Sequence, residues 1–295
     1  MARPARAPYR VKEVGLAALF LLPALIIFGV FVLYPFGRNF YLSVFETNPF
    51  TGQPTTYVGY RQFRDVLTSP GFWSSVKTTV FFALMTVPAG VFLGLVLAVI
   101  AHQKLRGVAI YRFIFSSTIA TSVAVAAVIF ALLFNPAVGI FSYWFQSPGA
   151  PAVYQSDTWA LPLIALVTVW QNLGVSFIVM SAGLQVVPDD LLEAAAIDGA
   201  GRWRRFRNVL VPLLSPTIFF VVVVGSIGAF QTVAQVDILT GGNYNTNLLA
   251  YSILLANRGN NDGKAAVLSI ALFFFTMLLT VVQLKVLERR VTYAR

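Results

Sequence analysis

The chain has 295 residues, 58% of them hydrophobic and 11% charged. Ordinary soluble domains carry about a quarter charged residues, so water is not the main solvent here. There is no cysteine and a single histidine, His102, which excludes disulfides and thiolate metal sites and leaves no material for a histidine-built zinc or catalytic centre. The net charge of +10 could suggest nucleic acid, but in so apolar a chain the question is where Lys and Arg sit relative to the spans, and no nucleic-acid partner is expected.

Backbone polar groups in lipid must be satisfied internally, and the long apolar runs favour helices over a barrel. About 20 residues cross a hydrocarbon core of about 30 Å. Charge-free gaps then predict six helices over about 14–37, 72–102, 108–134, 158–185, 208–233 and 264–287, in one domain covering 1–295. The third gap is longer than one span, but Asn135-Pro136 breaks the pattern, and Pro148, Gly149 and Pro151 leave too short a remainder for another. The arginine-rich start resembles a signal peptide, yet its apolar run is long and no A-x-A site follows, so it reads as the first span. With the N-terminus inside, Arg3, Arg6, Arg10, Lys12, Lys104, Arg106, Arg112, Arg202, Arg204, Arg205, Arg207, Lys285, Arg289, Arg290 and Arg295 are cytoplasmic, 15 of 21 basic residues. This asymmetry is the positive-inside signature and predicts that both termini face the cytoplasm. The expected fold is an all-α polytopic membrane protein. Outside the membrane, 59–68 predicts a short amphipathic cap at the interface. Gly90 and Gly94, one turn apart in the second span, predict close helix packing.

The segment 188–207, between the fourth and fifth spans, predicts two short helices. Pro188 suits a first helical position, Asp189 and Asp190 favour the positive end of the helix dipole, and Leu-Leu-Glu-Ala-Ala-Ala propagates well until Gly199 and Gly201. Leu191 with Ala195, and Leu192 with Ala196, lie one turn apart and could seat in a groove of another protein, with Glu193 beside them. The competing reading is an interfacial helix steadied by arginines against anionic lipid.

The string Glu193-Ala194-Ala195, Asp198-Gly199-Ala200 and Val211-Pro212 resembles the EAA motif of permeases of ATP-binding cassette importers, with Val211 replacing the usual Leu. Tyr34-Pro35-Phe36 leading to Tyr41-Leu42-Ser43, and Phe134-Asn135-Pro136 with Gly139, look like the carbohydrate, maltose-type branch. The tail 279–283 with Glu288 and Val291 is similar to the A-type permeases of glycerol-3-phosphate importers. This resemblance implies a type I importer permease fold in a bacterial or archaeal cytoplasmic membrane. It also implies a coupling helix docked in a cleft of a cytoplasmic ATPase dimer, with Glu193, Ala194, Ala195, Asp198, Gly199 and Arg202 in the coupling set. A second homologous permease and an external solute-binding protein complete the assembly. ATP and Mg are then bound by the ATPase partners, and no cofactor by this chain.

The residues themselves fit a motor held elsewhere. No G-x-x-x-x-G-K-[ST] is present, since Gly263-Lys264 is followed by Ala265 and lacks the upstream glycine. No nucleophile elbow or H-E-x-x-H suggests an intramembrane enzyme. The charge-free gaps hold no Asp or Glu for ion coupling, although an ion-independent channel or secondary transporter of small polar solutes stays open on composition. Candidate solute contacts are polar residues inside spans: Trp170, Gln171, Asn172 and Ser176 in the fourth, Gln231, Thr232 and Gln235 in the fifth, with Ser226 nearby. Aromatic and amide groups suit a polyhydroxyl solute, while the same residues could instead join helices. No cation in the spans supports recognition of a phosphate. Ser116, Ser117, Thr118, Thr121 and Ser122 in the third span read as packing residues.

Overall fold

A computed structural model describes residues 11–48, 50–103, 106–145 and 151–287. The basic residues expected at the termini, among them Arg3, Arg6, Arg10, Arg289, Arg290 and Arg295, lie outside these, as do Lys104, Pro148, Gly149, Glu288 and Val291. Among the described residues, four helices are long and apolar enough to cross a membrane: Ala18–Leu42, Pro70–His102, Ala160–Val186 and Asp262–Val286. Two further pairs qualify only as bent units, Val108–Ala120 with Val123–Leu133 at 105° and Arg202–Leu213 with Ser215–Phe230 at 66°.

The first span joins α1 (Val11–Phe28) to α2 (Tyr34–Leu42) through a π-helical turn, Gly29–Leu33. Pro35 has no N–H, and its ring would collide with the carbonyl one turn back; widening the preceding turn accommodates it. α2 packs against α15 (Asp262–Leu287), with Phe36 edge-on to Phe273 at 5.1 Å. The most apolar stretch of this span buries nothing within the chain.

An antiparallel hairpin, β1 (Phe45–Thr47) with β2 (Pro54–Tyr57), corrects the all-helical expectation. Its turn is closed by Asn48 Oδ1 accepting the Phe50 N–H, and Gly52 takes a left-handed φ of 66°. The predicted interfacial cap forms α3 (Arg61–Leu67), whose Val66 is buried against α4 (Pro70–His102) and α15.

α4 packs along α8 (Ala160–Val186), the most extensive helix contact in the molecule. Gly94 permits it: a Cβ there would stand 2.7 Å from the Cβ of Ser176, whereas one at Gly90 would meet nothing within 4 Å. Only one glycine of the predicted pair is therefore a close-packing position.

The third span was expected to be continuous, and the structure breaks it. α5 (Val108–Ser116) leads through a 3-10 turn, Ser117–Ala120, to an extended Thr121, and α6 (Val123–Leu133) restarts on Ser122 as N-cap. The hydroxyls of Ser116, Ser117 and Thr118 bond back to carbonyls three and four residues earlier, and Ser122 Oγ accepts the Val125 N–H. These local bonds compete with the helical ladder and stabilise a bend. Thr118 Oγ1 also accepts the Gly174 N–H of α8 at 2.9 Å, which locks the bend in place. α6 ends before Asn135-Pro136 and is followed by the short α7 (Ile140–Phe145).

After α8 come α9 (Asp189–Ile197), α10 (Arg202–Arg205), a π-helical turn Phe206–Leu210, α11 (Val211–Leu213) and α12 (Ser215–Phe230). Pro212 and Pro216 explain the bend between α11 and α12, since each removes a ladder donor. α13 (Ala234–Leu239) and α14 (Leu249–Arg258) then return to α15. One buried cluster, around Phe82, Phe130, Ile164, Val236 and Tyr251, joins α4, α6, α8, α13 and α14. A second, around Ala98, Phe177, Met180, Leu184 and Leu214, secures the other end of α4 and α8 beside α9.

Candidate functional site: a polar-lined cavity and a paired-helix loop

Between α4, α8 and α12 lies a cavity of about 480 Å³. Six of the seven candidates from the spans line it: Gln171, Asn172 and Ser176 from α8, and Gln231, Thr232 and Gln235 from the end of α12 onward. Trp170 does not. It packs against Phe130 with ring centroids 5.5 Å apart and lies against the apolar core. Ser226 is also absent from the lining; its Oγ accepts from Gln283 Nε2 at 2.8 Å and so ties α12 to α15.

The polar lining differs in what it can offer. Asn172 Nδ2 donates to the Thr168 carbonyl at 2.8 Å, and Thr232 Oγ1 donates to the Gly228 carbonyl at 3.2 Å. Gln235 is 4% exposed. α12 ends at Phe230 and Gln231–Val233 is not helical; the Gln231 and Thr232 N–H groups still donate to the Gly228 and Ala229 carbonyls, at 3.1 and 3.4 Å. Thr86 and Thr168 line it too and were not predicted. Both hydroxyls donate to carbonyls four residues back, to Phe82 and Ile164, and a threonine inside an apolar run gives little sign of which way it faces. No Asp, Glu, Lys or Arg is among the lining residues.

Beyond the break at 231–233, α13 is held by a charged clasp. Arg258 donates from Nη1 and Nη2 to the two carboxylate oxygens of Asp237, at 2.7 and 2.9 Å, and the buried Tyr251 donates its hydroxyl to the same carboxylate at 3.1 Å. The Arg258 bond holds the Asp237 carboxyl below its ordinary pKa, and burial, reinforced by Asp237, raises that of Tyr251. Gly242, at φ 77°, presses on the Tyr251 ring, where a Cβ would lie 2.4 Å from the nearest ring carbon.

The other feature is the loop. Pro188 is the N-cap of α9, in extended conformation, one residue earlier than the position its ring suggested. The helix closes in a paired C-cap: Gly199 N–H donates to Ala196 O at 3.1 Å and Ala200 N–H to Ala195 O at 2.9 Å, with Gly199 at φ 79°. This arrangement requires a left-handed residue, and nothing lies within 4 Å of a Cβ built there, so conformation alone selects glycine. The two predicted apolar pairs are split between faces. Leu192 turns inward onto the cluster beside α8, whereas Leu191 is 45% and Ile197 86% exposed. Glu193, Ala194 and Asp198 are exposed, Ala195 is half-buried, and Arg202 is exposed at the start of α10.

Residues 69–293 match the family described as binding-protein-dependent transport system inner membrane component. The sn-glycerol-3-phosphate transport system permease protein UgpA of Yersinia enterocolitica is 36% identical over 280 residues, spanning 93% of this chain and 95% of its own. That of Rhizobium meliloti is 34% identical over 282 residues, with the same coverage. Among solved structures, a bacterial transporter importing the acidic polysaccharide alginate superposes with a TM-score of 0.78 over 95% of this chain and 97% of that one, at 20% identity. The alginate transporter in complex with its pentasaccharide-bound periplasmic protein gives 0.80 over 97% and 98%, at 19% identity. The fold is theirs, and the chain belongs to the binding-protein-dependent inner membrane components, the non-catalytic permease subunits of ATP-binding cassette importers.

Proposed function

We propose that the chain spans a bacterial cytoplasmic membrane six times with both termini inside. It pairs with a second, homologous permease and passes a polyhydroxyl solute, of the carbohydrate or glycerol-phosphate class, through the cavity between α4, α8 and α12. The observation that carries this reading is the union, in one chain, of an uncharged amide-and-hydroxyl cavity with an exposed α9–Gly199–α10 unit. Gln171, Asn172, Ser176, Gln231, Thr232 and Gln235 supply donors and acceptors for solute hydroxyls. The relatives named for glycerol-3-phosphate favour that solute, and since no cation lines this cavity, a phosphate is taken to be met by the partner permease.

The loop is the seat of the motor. Glu193, Ala194, Ala195, Asp198, Gly199 and Arg202 meet a cleft in one subunit of an ATPase dimer, which binds ATP and Mg. An external binding protein delivers solute to the opposite side, as the alginate transporter's periplasmic protein is bound in its complex. Closure of the ATPase dimer moves α9, and the shared cavity alternates in access because the motor has different affinities for its two states.

The test is uptake and solute-stimulated ATPase activity of the purified complex, screened across sugars and glycerol phosphates. Glu193→Ala with Gly199→Pro is expected to abolish both while the chain still inserts. Unchanged uptake and unchanged retention of the ATPase would remove the loop from coupling. Gln235→Ala and Asn172→Ala are expected to weaken solute stimulation and to leave ATPase retention intact.

A further inference from the structure

The loop between α8 and α12 is divided by charge. Its first half, 189–198, carries Asp189, Asp190, Glu193 and Asp198 and no basic residue, while its second, 202–207, carries Arg202, Arg204, Arg205 and Arg207 and no acidic one. The two halves are a few residues apart, yet among the described residues none of these arginines lies within ion-pair distance of a carboxylate; the ion pairs there are Arg61–Asp65 and Arg258–Asp237. Trp203 sits among the arginines, 72% exposed, its indole stacked on Phe206 at 5.5 Å.

Direction adds the second constraint. The segment Arg202–Leu213 is inclined by 66° to Ser215–Phe230. If α12 crosses the membrane near its normal, this segment lies much closer to the membrane plane than to the normal, at the level where α12 enters. Leu210 is buried and Phe206 half-buried against the protein, which anchors the segment, while Trp203, Arg204 and Arg207 are exposed. An exposed indole with unpaired guanidinium groups at a membrane entry has the chemistry that recognises phosphate headgroups above an acyl boundary.

We infer that Trp203, Arg204 and Arg207 form a binding surface for anionic phospholipid of the cytoplasmic leaflet, so that the loop meets its motor through its acidic half and Arg202, and lipid through these three residues. This rests on the cytoplasmic placement of the loop proposed above. A charged leaflet sets the height of α10 and hence the position from which α9 meets its motor.

The test uses the full complex in nanodiscs of phosphatidylcholine alone or mixed with phosphatidylglycerol. Quenching of the emission that Trp203→Phe removes is read with brominated forms of each lipid. Brominated phosphatidylglycerol is expected to quench that emission more strongly than brominated phosphatidylcholine at equal content. Arg204→Gln with Arg207→Gln is expected to lower this preference by about fivefold or more, since each arginine near an anionic surface contributes about that factor. Retention of the ATPase by the double variant in lipid-free detergent is expected to stay unchanged. Equal quenching by the two lipids overturns the inference, and so does loss of ATPase retention in detergent, which would assign the arginines to the motor. A wild-type complex that keeps the lipid preference but couples to no ATPase leaves the inference standing and removes the proposed function instead.

Discussion

At the scale of single residues, two glycines carry more than their size suggests. Gly199 holds φ 79° at the end of α9, and a residue with a Cβ in that conformation costs roughly 1–2 kcal/mol. Gly199→Ala is therefore expected to fray the end of the helix and weaken ATPase retention in part, and Gly199→Asn to do so less, measured by co-purification at matched chain amounts. Gly174 is a different case. A Cβ there would lie 2.6 Å from Thr118 Oγ1 and 3.0 Å from the Ile119 nitrogen. Gly174→Val is expected to destabilise the fold by about 1–3 kcal/mol, seen as a lower unfolding temperature in detergent. Thr118→Ala does not rescue it, because the backbone of the bend also stands in the way. The Gly199 turn was legible in the sequence, since a glycine two residues past a helical run is a local signal. The Gly174 notch was not, because its reason lies 56 residues away in the chain.

At the scale of elements, the clasp fixes α13, the helix that follows the cavity-lining break at 231–233. The bidentate Asp237–Arg258 pair joins α13 to the end of α14, and α13 begins one residue before the cavity-lining Gln235. Asp237→Asn removes the charge and half of the fork. Faster hydrogen exchange across 234–239 is expected, with loss of solute-stimulated ATPase exceeding loss of ATPase retention. The pH dependence follows from the sign of the shift. A carboxylate whose folded pKa is depressed contributes its stabilisation above its unfolded value and loses it as pH falls through the folded one. The clasp is thus expected to be constant around neutrality and to open only below the ordinary carboxylate value of about 3.9, read as α13 exchange against pH. Hydropathy located the apolar runs but not this short helix, because α13 is one and a half turns long and is held by Tyr251, Arg258 and the α6 surface rather than by its own sequence.

At the scale of the molecule, the first span contributes length rather than packing. Phe20 and Phe31 are 77% and 73% exposed, and among the described residues α2 makes the span's main contacts with the rest of the chain, to α15 and β1. The absence of cysteine makes the cavity open to single-site labelling. Gln171→Cys and Gln235→Cys in the complete transporter are expected to react with a membrane-impermeant maleimide to an extent that changes when the motor binds ATP. Reactivity independent of nucleotide at both sites would take the cavity out of the solute path. The sequence by itself determined that the chain lives in lipid, where the apolar runs lie, and which loop bears the family string, because hydrocarbon thickness, charge cost and a local turn are all one-dimensional constraints. Only the tertiary structure decided that the third apolar run bends by 105°, that Trp170 faces the core while Gln171 faces the cavity, and that Leu192 turns in while Leu191 turns out. A helix apolar on every side carries no phase in its hydropathy, so its faces are chosen by the neighbours it meets.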